Sequence, residues 1–137
     1  MLDTNLTGCF LVAKAFVPLF LAQGRGKITN ISMNHETMVR AGFVPYGPSR
    51  AGSDALFRIM AEDLCAHYVN LLLPGDATDT GIIPAEARAA PKGKAALLSP
   101  NIMVEPAVFL ASQDSDGITG GGITATQFAS RKQAVRG

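Results

Sequence analysis

Tryptophan is absent from the 137 residues, tyrosine and cysteine occur twice each, and neither sign of charge predominates, with 12 Lys and Arg against 11 Asp and Glu. The near balance, with basic residues scattered along the chain, provides no electrostatic footprint for a phosphate backbone, so nucleic acid is not an expected partner. Cys9 and Cys65 are too few to staple a small secreted fold. With no basic leader ahead of Asp3, they read as reduced thiols of a cytoplasmic protein. Histidine is equally scarce. His35-Glu36 opens a zinc-protease pattern, but its second histidine would fall on Val39 and only His67 remains, so no metal site is expected. The apolar run from Cys9 to Ala22 is interrupted by Lys14 and Pro18 and reads as too short for a bilayer, which makes a membrane span unexpected.

What is present suits one globular domain. Apolar residues make up 47% of the chain, and its length permits a core without disulfides or metal. Asp3 or Thr4 can cap a helix running to Ala22, whose apolar residues cover most of its circumference. Gly24 and Gly26 end it, and Lys27 to Ser32 (KITNIS) reads as a short strand. A loop from Asn34 to Val44 leads to a second helix over Ser49 to Cys65, then to a buried strand at Tyr68–Leu73 stopped by Pro74 and Gly75. A weak helix near Ala85 to Ala90, a helix over Ile102 to Ser112 and a strand over Ile118 to Thr126 follow. Alternating helices and strands predict an α/β fold with a doubly wound parallel sheet. Three strands are few for such a sheet, so residues 1–129 are expected to be part of a larger unit, with 130–137 a flexible tail.

The cluster Tyr46-Gly47-Pro48-Ser49-Arg50 carries the most chemical information. Residues 46 and 50 share a helix face, and a fixed cation beside a phenol eases loss of its proton, which suits a general acid or base. The same spacing also fits a helix-start tyrosine and a solvent-facing arginine. Paired catalytic carboxylates have no support, since Glu62, Asp63, Asp76 and Asp79 fit a helix surface and a turn.

Taken in order, Asn5-Leu6-Thr7-Gly8, Gly26 to Ser32 (GKITNIS), Tyr46 with a basic residue at 50, Val69-Asn70, Pro74-Gly75, Phe109 to Ser112 and Ile118-Thr119-Gly120 resemble the second half of the classical short-chain dehydrogenase/reductase family. The resemblance implies a Rossmann-like sheet and NAD or NADP as hydride carrier. It also implies an alcohol or ketone substrate, with Tyr46 as the acid or base on the substrate oxygen. Arg50 would support Tyr46 and bind the cofactor ribose, Asn5 would hold a relay water, and Pro74, Gly75, Thr78 and Thr80 would line the cofactor. Residues 82–94 match the family's variable substrate loop, and pairing of two copies through helices 3–22 and 49–65 is implied as well.

Two positions depart from the family pattern. The family serine falls on Met33, whose thioether donates no hydrogen bond. Ser32 is the adjacent substitute, but on an extended chain it faces the opposite way unless the strand end turns, and Asn34 or His35 are the other candidates. Arg50 stands where the family has lysine; it keeps the charge and does not readily pass a proton. The glycine-rich turn that cradles pyrophosphate has no counterpart, because Gly120, Gly122 and Ala125 imitate its spacing with no βαβ unit behind them. These departures keep a second expectation open: a catalytically inactive remnant that acts by packing against a partner chain and binds neither cofactor saturably.

Overall fold

The computed structural model describes residues 1–64, 68–89 and 97–130. Cys65, His67, part of the substrate-loop stretch and nearly all of the tail assigned to 130–137 lie outside these residues. A π-helical turn, Asp3–Thr7, runs directly into helix α1, Gly8–Gln23, with no side-chain cap from Asp3 or Thr4. Strand β1 is Lys27–Ile31, a short helix α2 covers His35–Met38 within the expected loop, and α3 is Tyr46–Asp63. Strand β2 is Tyr68–Leu73, α4 is Ala85–Ala89, and a 3-10 turn at Pro100–Met103 leads into α5, Val104–Ala111. Strand β3 is Gly122–Thr124.

The strands form one parallel sheet in the order β1-β2-β3. Lys27 pairs with Tyr68 and Ile31 with Leu72, while Leu71 pairs with Gly122 and Leu73 with Thr124. The central strand β2 is buried over Val69 to Leu72, as its largely apolar sequence predicts for a parallel strand covered on both faces, with the polar Asn70 buried among them. Alternation along the strand separates two cores. Val69 and Leu71 pack with Phe57 and Ala61 of α3, whereas Leu72 packs with Leu110 of α5, Ile123 and Phe128.

Three expected boundaries move, each for a local reason. Helix α3 begins at Tyr46 rather than Ser49, because Pro48 sits in the first turn, where a missing N–H has no intrahelical partner to lose. Strand β3 is three residues rather than nine: Gly120 has φ 71°, and the Asn70 amide replaces the ladder by donating to the Ile118 carbonyl (2.7 Å) and accepting from the Gly121 N–H (3.3 Å). The apolar run judged too short for a bilayer becomes long enough by length and composition once the π-helical turn is joined to α1, giving 21 residues, Asp3–Gln23, at mean hydropathy 1.7. One side of it lies against α3, with Leu6 near Gly52 and Cys9 packed on the core of Phe57 and Leu71, while most of it is exposed.

Candidate active site

Side chains of β1 that face α3 carry the polar links between strand and helix. Asn30 Nδ2 donates to Ser53 Oγ at 2.9 Å, and Ser32 Oγ donates to Asp54 Oδ1 at 2.5 Å. Residues 30 and 32 share a face, so Ser32 points to the helix and Met33 does not follow it. Of the groups considered for the place of the family serine, Ser32 is therefore engaged by Asp54, two helical turns beyond Tyr46. Asn34 reaches the other way, its Nδ2 donating to the Gly75 carbonyl at 2.7 Å. His35 is exposed at the start of α2.

Tyr46 opens α3 beside the C-terminal end of the sheet. Arg50, one turn on, donates from a guanidinium nitrogen to the carbonyl of Ile31, the last residue of β1, at 2.9 Å. The same guanidinium carbon lies 5.5 Å from the centre of the Tyr46 ring, within range of a cation–π contact. Arg50 Nε is buried with no hydrogen-bond partner among the described residues. Asn5, in the π-helical turn, donates from Nδ2 to Ser49 Oγ at 3.0 Å, and Ser49 in turn donates to the Tyr46 carbonyl at 2.7 Å. The start of the first helix thus buttresses the turn that carries Tyr46. Gly47 lets the end of α2 approach the same turn: a Cβ there would stand 1.9 Å from the Met38 carbonyl oxygen.

Gly75 closes the end of β2 at φ 101°, where a Cβ would meet Thr126 Oγ1 at 2.2 Å, so only glycine fits. Through Asn34 and Thr126 the ends of all three strands meet beside Pro74 and Gly75. Thr78 donates to the Asp76 carbonyl at 3.2 Å and forms an isolated bridge to Leu98. Thr80 is exposed, and its carbonyl accepts from Arg88. The structure thus brings Asn5, Tyr46 and Arg50 together and sets Gly75 at the same sheet edge, while Ser32 is turned toward Asp54.

Sequence reasoning assigned no role to Ser49, Asp54, Arg40 or Phe43. Asp54 lies four residues from both Arg50 and Arg58, a spacing that was available to read. Burial raises its carboxyl above the usual value, an effect opposed by the Ser32 hydrogen bond and the charges of Arg58 and Arg50. Phe43 stacks toward Tyr46 with ring centroids 6.4 Å apart, and the Arg40 guanidinium lies 4.9 Å from the Phe43 ring. An open cleft lined by Gly122, Thr124, Gln127 and Ser130 lies along β3, and none of these four residues is among the sequence-predicted site residues.

A sequence profile described as short chain dehydrogenase matches residues 1–89. The chain is 32% identical to a (3R)-3-hydroxyacyl-CoA dehydrogenase of Canis lupus familiaris, covering 92% of this chain and 52% of that protein. It is 29% identical to a gluconate 5-dehydrogenase of Gluconobacter oxydans, covering 90% and 54% respectively. Among solved structures, a short chain dehydrogenase/reductase family protein superposes with TM-score 0.78 at 26% identity, over 90% of this chain and 54% of that one. A gluconate 5-dehydrogenase from Burkholderia cenocepacia in complex with NADP and tartrate gives TM-score 0.73 at 26% identity, over 91% and 53%. The chain spans about half the length of these relatives. With its parallel sheet, its Tyr46–Arg50 turn and the matched profile, this chain belongs to the short-chain dehydrogenase/reductase family of oxidoreductases.

Proposed function

We propose that this chain is the proton-handling part of an NAD- or NADP-dependent oxidoreductase that interconverts an alcohol and a ketone. The observation that carries the reading is the seating of Tyr46 at the C-terminal sheet edge, with Arg50 over its ring and Asn5 bracing its turn through Ser49. Tyr46 gives or takes the proton at the substrate oxygen, and Arg50 lies one helical turn on with its guanidinium over the ring. Asn5, whose Nδ2 is held by Ser49, has its carbonyl oxygen left for a relay water.

The residues present fit the nicotinamide end of the cofactor. Arg50 Nε is an unmet donor suited to ribose hydroxyls, and the turn at Gly75 ends β2 at the same sheet edge. Arg50 would hold the ribose, while the backbone after Pro74 and Gly75 and the hydroxyls of Thr78 and Thr80 would hold the carboxamide and pyrophosphate side. The cofactor, when bound, supplies or accepts the hydride. Family membership supports this assignment and a cytoplasmic setting. The exposed outer faces of α1 and α3 support pairing of two copies through these helices.

A second reading, an inactive family member that acts by packing against a partner, is favoured by one specific observation: Met33 replaces the family serine while the neighbouring Ser32 hydroxyl is engaged by Asp54. Ketone reduction followed by nicotinamide absorbance, with calorimetric titration of NAD(H) and NADP(H), separates the two. Turnover that falls about 100-fold or more in Tyr46→Phe, with the circular dichroism unchanged, supports the enzyme reading. Absence of both turnover and saturable cofactor binding supports the second.

A further inference from the structure

Arg40, Phe43, Tyr46 and Arg50 form a continuous row in which two guanidinium groups bracket two aromatic rings. The two cations differ in what they do with their donors. Arg50 points inward, one nitrogen on the Ile31 carbonyl. Arg40 is exposed just beyond the end of α2, and its side chain has no acceptor among the described residues. Glu36 lies four residues ahead of it, at the spacing that pairs charges on a helix, yet α2 stops at Met38 and Arg40 turns to the Phe43 ring instead.

An aromatic face holds the guanidinium plane and leaves its edge N–H groups outward, in the planar fork that accepts a carboxylate through two parallel hydrogen bonds. Laid end to end, the two ring separations put Arg40 no more than about 11 Å from the Tyr46 ring centre. We propose that Arg40, seated on Phe43 beside Tyr46, is a specificity-determining residue that holds a carboxylate carried by the substrate a few bonds from the reacting carbon. This rests on the reading of Tyr46 as the proton-handling group. It adds to that reading a substrate class: a keto acid or hydroxy acid rather than a neutral ketone or alcohol.

The test is an NMR titration of the 15N-labelled chain with 4-oxopentanoate, its methyl ester, dihydroxyacetone phosphate and dihydroxyacetone. Saturable shifts at the Arg40 side chain and the Phe43 and Tyr46 amides are expected with 4-oxopentanoate, about tenfold weaker with the ester. Arg40→Gln should abolish that preference while leaving the circular dichroism unchanged, and Arg40→Lys should restore part of it. In the reduction assay, Arg40→Gln should raise KM for the keto acid with kcat little changed, and leave the ester unaffected. Equal binding of acid and ester, or shifts scattered over other cations, would overturn the proposal. Preference for the phosphate ester over the carboxylate would overturn the carboxylate assignment. Carboxylate binding at Arg40 without turnover of any ketone would count against the dehydrogenase reading alone, because the titration decides the anion site by itself.

Discussion

Helices α1 and α3 lie on the same face of the sheet and are of similar length, yet α3 buries five residues and α1 buries only Ala13. Apolarity does not explain the difference, since α1 is the more apolar of the two. Shape does. Helix α3 turns Gly47, Ser49, Ser53, Phe57 and Ala61 inward, and these mostly small residues let it lie close on β2. Helix α1 and the π-helical turn before it engage along a single stripe through Leu6, Cys9, Ala13, Val17 and Phe20, spaced three and four apart. The remaining surface of α1 exposes Phe10, Leu11, Val12, Phe16, Leu19 and Leu21. One helix closes a core within this chain, and the other leaves most of its apolar surface uncovered among the described residues.

The sharpest way to break this comparison is to truncate a phenylalanine on each helix. Phe57→Ala removes a ring from the closed core between α3 and β2 and should cost about 3–5 kcal/mol, read as a lower urea midpoint. Phe16→Ala, at a ring 52% exposed, should stay within about 0.5 kcal/mol. Comparable losses from the two would show that the outer surface of α1 is closed in solution by something that contributes to folding stability.

A smaller effect sharpens the role of that surface. Phe16→Glu and Leu19→Glu place charges where a second copy would sit, and should shift sedimentation from dimer toward monomer while the melting midpoint of the monomer barely moves. A wild-type chain that is already monomeric at all concentrations would remove self-pairing as the use of α1.

Much of this arrangement was legible in the residues. The largely apolar run of β2, broken only by Asn70, gave both its ends, because a strand covered on both faces shows little polar alternation to blur them. Tyr46 and Arg50 were readable as neighbours because four residues span one helical turn. What could not be read was anything set by tertiary approach. The short β3 depends on the Asn70 side chain bonding to a turn some fifty residues away in sequence. Ser32 turning to Asp54 depends on where α3 crosses β1, and the exposure of α1 depends on what packs beside it. Periodicity reports that a helix is apolar all round but not which of its faces this chain covers.

The weakest expected effect concerns Asp54, on the side of α3 that α1 does not reach. Burial holds its carboxyl above the ordinary value, with Ser32, Arg58 and Arg50 offsetting only part of the cost. A carboxyl whose folded value is raised contributes stability that is fully present below its unfolded value, near 3.9, and is lost as pH rises through the folded value. Asp54→Asn keeps an acceptor for the Ser32 hydroxyl and removes the charge. The variant should therefore melt slightly above the wild type at neutral pH, and the gap should close as the pH is lowered toward about 4. A gap that widens on acidification would mean that the ionised carboxylate stabilises the α3–β1 contact through its arginine neighbours, and one that stays constant would mean that folding leaves the carboxyl's affinity for its proton unchanged, so that this polar seam resembles an ordinary surface pair more than a buried one.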